Sequence, residues 1–159
     1  MEILERIGII VKRFTENKIL IAIAESCTGG YISHMITNIS GSSLIFERGV
    51  VSYGNQAKID ILNVDPEIIE KFGAVSEEVA KQMAQGVRII SKPCTIGIGV
   101  TGIAGPTGAT PEKPVGLVYI GYSTETETKI EKQIYKTDRI TFKKLVLERI
   151  VQFLENYSI

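Results

Sequence analysis

Ser26 lies at the junction between an apolar run and an amphipathic stretch, within residues 19–30 (ILIAIAESCTGG). The apolar run predicts a buried strand, and the stretch after it predicts a helix. A polar turn at a helix N-terminus stabilises anions and developing negative charge. Ser26 therefore has two possible roles. It is a helix cap that accepts an N–H bond, or a nucleophile whose oxyanion is held by the amides of Thr28, Gly29 and Gly30.

A nucleophilic serine needs a base. The single histidine, His34, falls two turns into the predicted helix, where we expect a surface or packing residue. Lys58 is the better candidate, because it falls in the first turn of a short predicted helix (56–62), where the positive helix end lowers the pKa of a lysine. Burial acts in the same direction, and a lysine serves as a base at neutral pH once its pKa reaches roughly 7–8. The alternative for Lys58 is a solvated surface lysine.

Tyr53 and Cys27, which lie close to these candidates in the sequence, also have two possible roles each. Tyr53 could relay a proton or orient Lys58, or it could be a strand-end aromatic whose hydroxyl faces water. Cys27 is a rival nucleophile, since a helix N-terminus lowers the pKa of a thiol, although buried cysteines usually act as small hydrophobes. With Cys94 it forms no disulfide or zinc pattern.

Residues 97–102 (GIGVTG) match the G-x-G-x-x-G spacing of dinucleotide-binding proteins. In that fold the glycines open a helix, whereas here residues 101–114 form a loop rich in Gly, Pro and Thr. We interpret the segment as a strand that delivers Thr101 and a glycine loop, with Gly102 and Gly105, to a site, since long loops are often functional. Lys113 and Arg139 add charges that could meet a phosphate.

The composition sets limits on function. The 159 residues include 18 Lys plus Arg and 18 Asp plus Glu, and this balance argues against binding nucleic acid by bulk electrostatics. No apolar run approaches the roughly 18 residues of a membrane span, and the N-terminal segment mixes acids and bases unlike a signal peptide. The sparse cysteines are typical of a reducing compartment, so we expect a cytoplasmic protein. One histidine and scattered acids give no ligand spacing for a metal, and we expect no metal and no cofactor.

Hydrophobic periodicity and turn residues predict the elements. We expect Asn55 to cap the helix 56–62, Asp65-Pro66 to start a helix that ends at Gly73, and Asp138 to cap the last helix. Early alternation of strands and helices followed by a hairpin indicates an α/β layered domain with a mixed sheet. The expected strands are 19–24, 46–53, 94–100, 115–124 and 128–136, and the remaining expected helices are 2–17, 28–38, 79–90 and 139–157.

Five segments together resemble a known family. They are AESCTGG (24–30), GSSLIFERGVVSYGNQAK (41–58), GAVSEEVA (73–80), VTGIAGPTG (100–108) and EKPVG (112–116). These blocks, in this order, resemble the CinA C-terminal domain family, the nicotinamide-nucleotide amidases, over nearly the whole chain. The resemblance implies a single domain over residues 1–159 with a three-layer α/β/α sandwich and no metal.

Members of that family convert nicotinamide mononucleotide into nicotinic acid mononucleotide and ammonia in pyridine-nucleotide salvage. By motif match, Ser26 takes the place of the nucleophile and Lys58 that of the general base, with Tyr53 beside it. Thr101 and the loop glycines are then expected at the substrate, as are residues 28–30 and Arg139. Ala109 and Thr137 stand where the family usually has glycine, which leaves the phosphate contacts open.

Some relatives carry an N-terminal domain that resembles molybdopterin-binding proteins, and no segment here resembles it. We therefore expect any activity to belong to the amidase-like domain alone. The expected partner is a small nucleotide, with no nucleic acid and no membrane, and the apolar outer helices favour a homo-oligomer. Two alternatives remain open: a non-catalytic nucleotide-binding module, and an amidase for another small amide.

Overall fold

One five-stranded sheet lies between two layers of helices in the computed structural model, which describes all residues from Met1 to Ile159. This arrangement confirms the expected three-layer α/β/α architecture with a mixed sheet. The elements in chain order are α1 (Ile3–Glu16), β1 (Ile21–Glu25), α2 (Tyr31–Thr37), a 3-10 turn (Ser42–Leu44), β2 (Phe46–Val51), α3 (Asn55–Leu62), α4 (Pro66–Phe72), α5 (Glu77–Ile90), β3 (Ile96–Gly102), β4 (Leu117–Ser123), β5 (Thr128–Ile134) and α6 (Arg139–Glu155).

The strand order β2-β1-β3-β4-β5 brings three chain segments to one edge of the sheet. Strand β1 pairs in parallel with β2 and β3, and Glu25 at its end lies opposite Val51 and Val100. Strands β4 and β5 complete the sheet in antiparallel order, as the predicted hairpin. Ligand sites in open α/β sheets lie outside the carboxyl ends of parallel strands. The edge where β1, β2 and β3 end is therefore the place to look for a site.

The two faces of the sheet are packed differently. Helices α1, α2 and α6 cover one face over a cluster of 24 buried residues, while α5 covers the other over a cluster of eight. Gly97 and Gly99 face α5 so closely that a Cβ at either position would overlap its backbone near Ala84. Gly97 and Gly99 therefore serve helix–sheet packing, whereas Gly102 lies against Leu117 and Val118 of β4, and no helix follows β3 directly.

Most predicted boundaries are confirmed within a few residues. Asp65 and Asp138 cap α4 and α6 as expected, each accepting bonds from backbone N–H groups. Helix α2 begins only at Tyr31, because Gly29 and Gly30 adopt positive φ angles that are incompatible with a right-handed helix. The expected cap at Asn55 is wrong, since Asn55 is already helical and Gly54 occupies the cap position. None of the helices has the length and apolarity that crossing a membrane requires.

Candidate active site

Ser26 and Lys58 are in contact although 32 positions separate them in the chain. The Lys58 Nζ lies 2.9 Å from the Ser26 Oγ. Ser26 is the first residue after β1, and Lys58 lies in α3, which begins soon after the parallel neighbour β2 ends. Lys58 is 1% exposed and Ser26 9% exposed. The pair is therefore removed from bulk water at the carboxyl end of the central strand.

The amine of Lys58 has two further contacts, both with backbone carbonyls. Its Nζ donates to the Ser52 oxygen at 2.8 Å and to the Tyr53 oxygen at 3.3 Å. Burial lowers the pKa of Lys58, because the charged form loses hydration, and no carboxylate pairs with it. A neutral amine has two N–H groups and one lone pair. Since the carbonyls can only accept, they take both N–H groups and leave the lone pair facing the Ser26 hydroxyl.

Glu25, which the sequence interpretation did not consider, organises the turn that carries Ser26. Its fully buried carboxylate accepts from the Thr28 hydroxyl at 2.6 Å and from the Gly30 and Ile32 amides at 3.0 and 3.1 Å. It also accepts from the Ser33 amide and hydroxyl. Glu25 therefore satisfies the N-terminus of α2. Of the two roles left open for Ser26, the helix cap does not apply, since Gly30 occupies the cap position and the Ser26 hydroxyl contacts Lys58.

One sequence signal could have identified Glu25. A carboxylate ends an otherwise apolar and completely buried strand, β1. Such residues are almost never fully buried unless their charge is satisfied, and the helix predicted to follow supplies unpaired N–H groups. An acid at the end of a central strand, just before a helix, therefore predicts a structural anchor.

The same contacts correct the expected oxyanion site. The Gly30 amide donates to Glu25 and the Gly29 amide to the Ser26 carbonyl, so neither is available to a ligand. The hydroxyl of Thr28 is likewise used by Glu25. The backbone N–H groups of Cys27 and Thr28 have no acceptor within the chain. Of the two residues only Cys27 lines the cavity, since Thr28 is completely buried, so the Cys27 amide is the donor that remains for negative charge.

A cavity of about 290 Å³ opens above this pair. Thr101, Gly102 and Gly105 line it, as predicted for the loop after β3. The Thr101 hydroxyl donates to the Ala74 carbonyl at 2.7 Å, so it joins β3 to the segment before α5 and has no proton left for an oxyanion.

Tyr53 and Arg139 form the rim of this cavity. The Arg139 guanidinium donates to the Gly105 carbonyl and to the Tyr53 hydroxyl, each at 2.8 Å. The Tyr53 side chain is 58% exposed. Its hydroxyl thus contacts Arg139, and only its backbone carbonyl contacts Lys58. Tyr53 therefore positions Arg139 through its hydroxyl and Lys58 through its backbone carbonyl.

The other candidate residues lie in unsuitable environments. Burial raises the pKa of Cys27 to about 12, so its thiol stays protonated at neutral pH. His34 is exposed and its ring contacts Asn38, which confirms the expected surface residue. A larger cavity of about 400 Å³ lies between β5 and α6, but its Arg149 and Glu131 pair with each other and no nucleophile there meets a base.

The fold and the site define a class: three-layer α/β/α domains with a buried serine–lysine contact beyond the central parallel strand. The chain belongs to the CinA family, since the model of the CinA C-terminal domain matches residues 5–158. This confirms the resemblance found in the sequence.

Known relatives agree with this assignment. The chain is 50% identical over 131 residues to a protein of Thermoanaerobacter sp. (strain X514) and 45% identical over 146 residues to one of Acetivibrio thermocellus. Both are named as competence-damage inducible proteins. The matches cover 82% and 92% of this chain but only 32% and 35% of those relatives. The chain therefore spans about a third of the length of these relatives.

Solved structures show the same fold. The competence/damage inducible protein CihA from Agrobacterium tumefaciens superimposes with a TM-score of 0.92 at 37% identity, covering 96% of this chain and 93% of that one. A CinA superfamily protein from Escherichia coli gives a TM-score of 0.90 at 27% identity, with coverages of 97% and 89%.

Proposed function

We propose that this domain hydrolyses the carboxamide of nicotinamide mononucleotide, giving nicotinic acid mononucleotide and ammonia. The observation that supports a hydrolase is the 2.9 Å contact between the buried Lys58 amine and the Ser26 hydroxyl. The family resemblance supplies the substrate. The cavity agrees with it, because no aspartate or glutamate lines it and the Arg139 guanidinium lies at its rim, which suits an anionic nucleotide.

The first chemical step forms an acyl-enzyme. Neutral Lys58 takes the Ser26 hydroxyl proton as the Oγ attacks the carboxamide carbon, because an alcohol is a poor nucleophile until a base removes its proton. The carbonyl oxygen becomes an oxyanion, which the free N–H group of Cys27 stabilises. The Lys58 ammonium then protonates the amide nitrogen, the C–N bond breaks, and ammonia leaves.

The second step releases the acid. Water enters the position that ammonia has left and gives a proton to Lys58 as its oxygen attacks the ester carbon. The bond to the Ser26 Oγ breaks, and Lys58 returns the proton to that oxygen. The enzyme regains its starting state, and one amide has been exchanged for one carboxylic acid. No group beyond the substrate, water and these residues is needed for the balance.

The test is ammonia release from nicotinamide mononucleotide by the wild-type chain and by Ser26→Ala. We expect the variant to lose about 10³-fold or more in kcat, because the nucleophile is absent. Ser43→Ala, at an exposed serine of the 3-10 turn, is the matched control. A Ser26→Ala enzyme with wild-type turnover contradicts the mechanism.

Two further measurements separate the alternatives. Iodoacetamide inactivates an enzyme that uses Cys27 as nucleophile and spares one that uses Ser26. A rise in melting temperature with the mononucleotide, without any product over hours, indicates a non-catalytic binding module. A panel of small amides identifies a different substrate, if one is preferred.

A further inference from the structure

Two separate segments of the chain form walls of the candidate active-site cavity. One is the loop between β3 and β4, which we call the glycine loop and which contributes Gly105, Thr107 and Gly108 to the lining. The other is the connection between α4 and α5, which contributes Ala74 and Val75. The width of the cavity therefore depends on how these two walls are held relative to each other.

The glycine loop has few hydrogen bonds of its own along the part that lines the cavity. None of the backbone N–H groups of residues 104–109 donates a hydrogen bond within the chain, and residues 106–112 are all exposed. The Gly105 carbonyl accepts from Arg139 at one end of this stretch. A segment with few buried contacts and few hydrogen bonds opens at a low cost in free energy. The position of the loop therefore depends on the contacts at its two ends.

Lys113 makes the contact at the other end of the stretch. The sequence suggested that its charge could meet a phosphate, but its amine donates to the carbonyl of Phe72, the last residue of α4, 41 positions away. The final carbonyls of a helix lack partners within the helix and carry the negative end of its dipole, so an ammonium group is favourable there. No other hydrogen bond joins the glycine loop to α4 or to the connection that follows it.

The local structure on the loop side of this contact is well defined. The backbones of Thr110 and Lys113 donate to each other's carbonyls, at 2.9 and 3.2 Å, so residues 110–113 form a closed turn. The Thr110 hydroxyl also accepts from the Lys113 amide at 3.1 Å. The Lys113 side chain therefore holds this turn, and with it the glycine loop, to the end of α4.

The α4–α5 connection is fixed as well. The Ser76 hydroxyl donates to the Gly73 carbonyl at 2.9 Å, and the Thr101 hydroxyl of β3 donates to the Ala74 carbonyl at 2.7 Å. A Cβ on Gly73 would lie 2.7 Å from the Lys113 Nζ, so glycine at this position leaves room for the amine. The connection is thus held to the sheet, and the amine of Lys113 holds the more weakly supported loop to it.

We propose that Lys113 is a positioning residue of this site, which sets the width of the cavity by holding the glycine loop to the end of α4. This inference rests on the proposed function for the substrate that enters the cavity. Lys113 itself does not line the cavity, so it acts on the substrate through the loop. Holding the loop in its binding arrangement lowers the cost of binding, whereas proton transfer between Ser26 and Lys58 does not involve the loop.

Steady-state kinetics of Lys113→Met test the proposal, because methionine keeps the apolar stem and removes the amine. We expect KM for nicotinamide mononucleotide to rise about tenfold, since the binding arrangement of the loop becomes a minor one, with kcat nearly unchanged. Lys113→Arg should restore most of the lost affinity, because a guanidinium can donate to the same carbonyl. Lys136→Met, at an exposed lysine, is the matched control. An unchanged KM, or a loss confined to kcat, would overturn the proposal.

Hydrogen exchange separates this proposal from the proposed function, because it needs no substrate. The Thr110 amide on the loop side and the Gly73 amide on the helix side are both hydrogen-bonded. In the full Lys113→Met chain we expect both amides to exchange about tenfold faster or more, while the amides of β3 and α5 exchange as in the wild type. That result, with no ammonia release by the wild type, would retain the role of Lys113 and refute the amidase. Unchanged exchange at both amides would refute the role of Lys113 whatever the activity.

Discussion

The floor and the rim of the cavity are built in different ways. The floor consists of Glu25, Ser26 and Lys58, all buried and all joined to backbone groups by hydrogen bonds. The rim consists of Tyr53 and Arg139, which are both exposed. One hydrogen bond, from the Arg139 guanidinium to the Tyr53 hydroxyl, joins them across 86 positions of the chain. This difference in burial suits two separate functions: proton transfer at the floor and attraction of the substrate at the rim. A lysine loses its charge where water is excluded, whereas an anionic substrate is attracted by cations that stay charged at the surface.

The largest effect is expected at the floor. Replacement of Lys58 by methionine keeps the volume and apolar stem but removes the base, so kcat should fall about 10²- to 10⁴-fold. Ammonia release measures this loss. Lys12→Met, at an exposed position of α1, is the control for the loss of a lysine. If Lys58→Met keeps more than a tenth of the wild-type kcat, the floor does not contain the base.

Glu25→Gln tests whether the position of Ser26 depends on the hydrogen bonds that the Glu25 carboxylate accepts from the N-terminus of α2. The amide group of glutamine would meet backbone N–H donors, so we expect unfolding free energy to fall by about 2–4 kcal/mol. Below the melting temperature, kcat should fall about tenfold or more while KM stays the same, because the turn no longer holds Ser26 and the Cys27 amide in place. Glu47→Gln, on the exposed side of β2, should change neither quantity. A variant that is less stable but fully active would make Glu25 structural only.

The pH dependence reports the protonation of the floor. The active form has neutral Lys58, whose pKa is lowered by burial from the ordinary value of 10.5. The fraction of neutral amine grows as pH rises through that lowered pKa. Therefore kcat/KM should rise up to tenfold per pH unit below it and level off above it. A profile that falls with rising pH, in a range where the protein stays folded, would contradict a neutral lysine base.

The smallest effect is expected at the rim. Tyr53→Phe removes one hydrogen bond to Arg139 but leaves the Tyr53 carbonyl on Lys58. We expect KM to rise about two- to tenfold, the effect of one neutral hydrogen bond, and kcat to stay nearly constant. A loss of about 10²-fold in kcat would instead restore the proton relay that the sequence suggested. Tyr119→Phe, a tyrosine of β4 that does not line the cavity, is the control.

The amino-acid sequence determined the elements and the candidate residues. Strand β1 and helices α1, α4, α5 and α6 were predicted because apolar periodicity and capping residues act between neighbours in the chain. Ser26 and Lys58 were identified from their positions beside predicted turns, and the five motif blocks indicated the family.

Tertiary structure decided which atoms meet. The Ser26–Lys58 contact requires β1 and β2 to lie parallel and end together, and the Tyr53–Arg139 contact requires α6 to return to that edge. The local sequence indicates that an acid at the end of a buried strand must be satisfied, but it does not show which N–H groups the Glu25 carboxylate meets or that Ser26 is left free. The buried end of β1 directs the Glu25 carboxylate into the N-terminus of α2 and leaves Ser26 facing the cavity. Hydrogen bonds between distant segments depend on strand register, which no local pattern encodes.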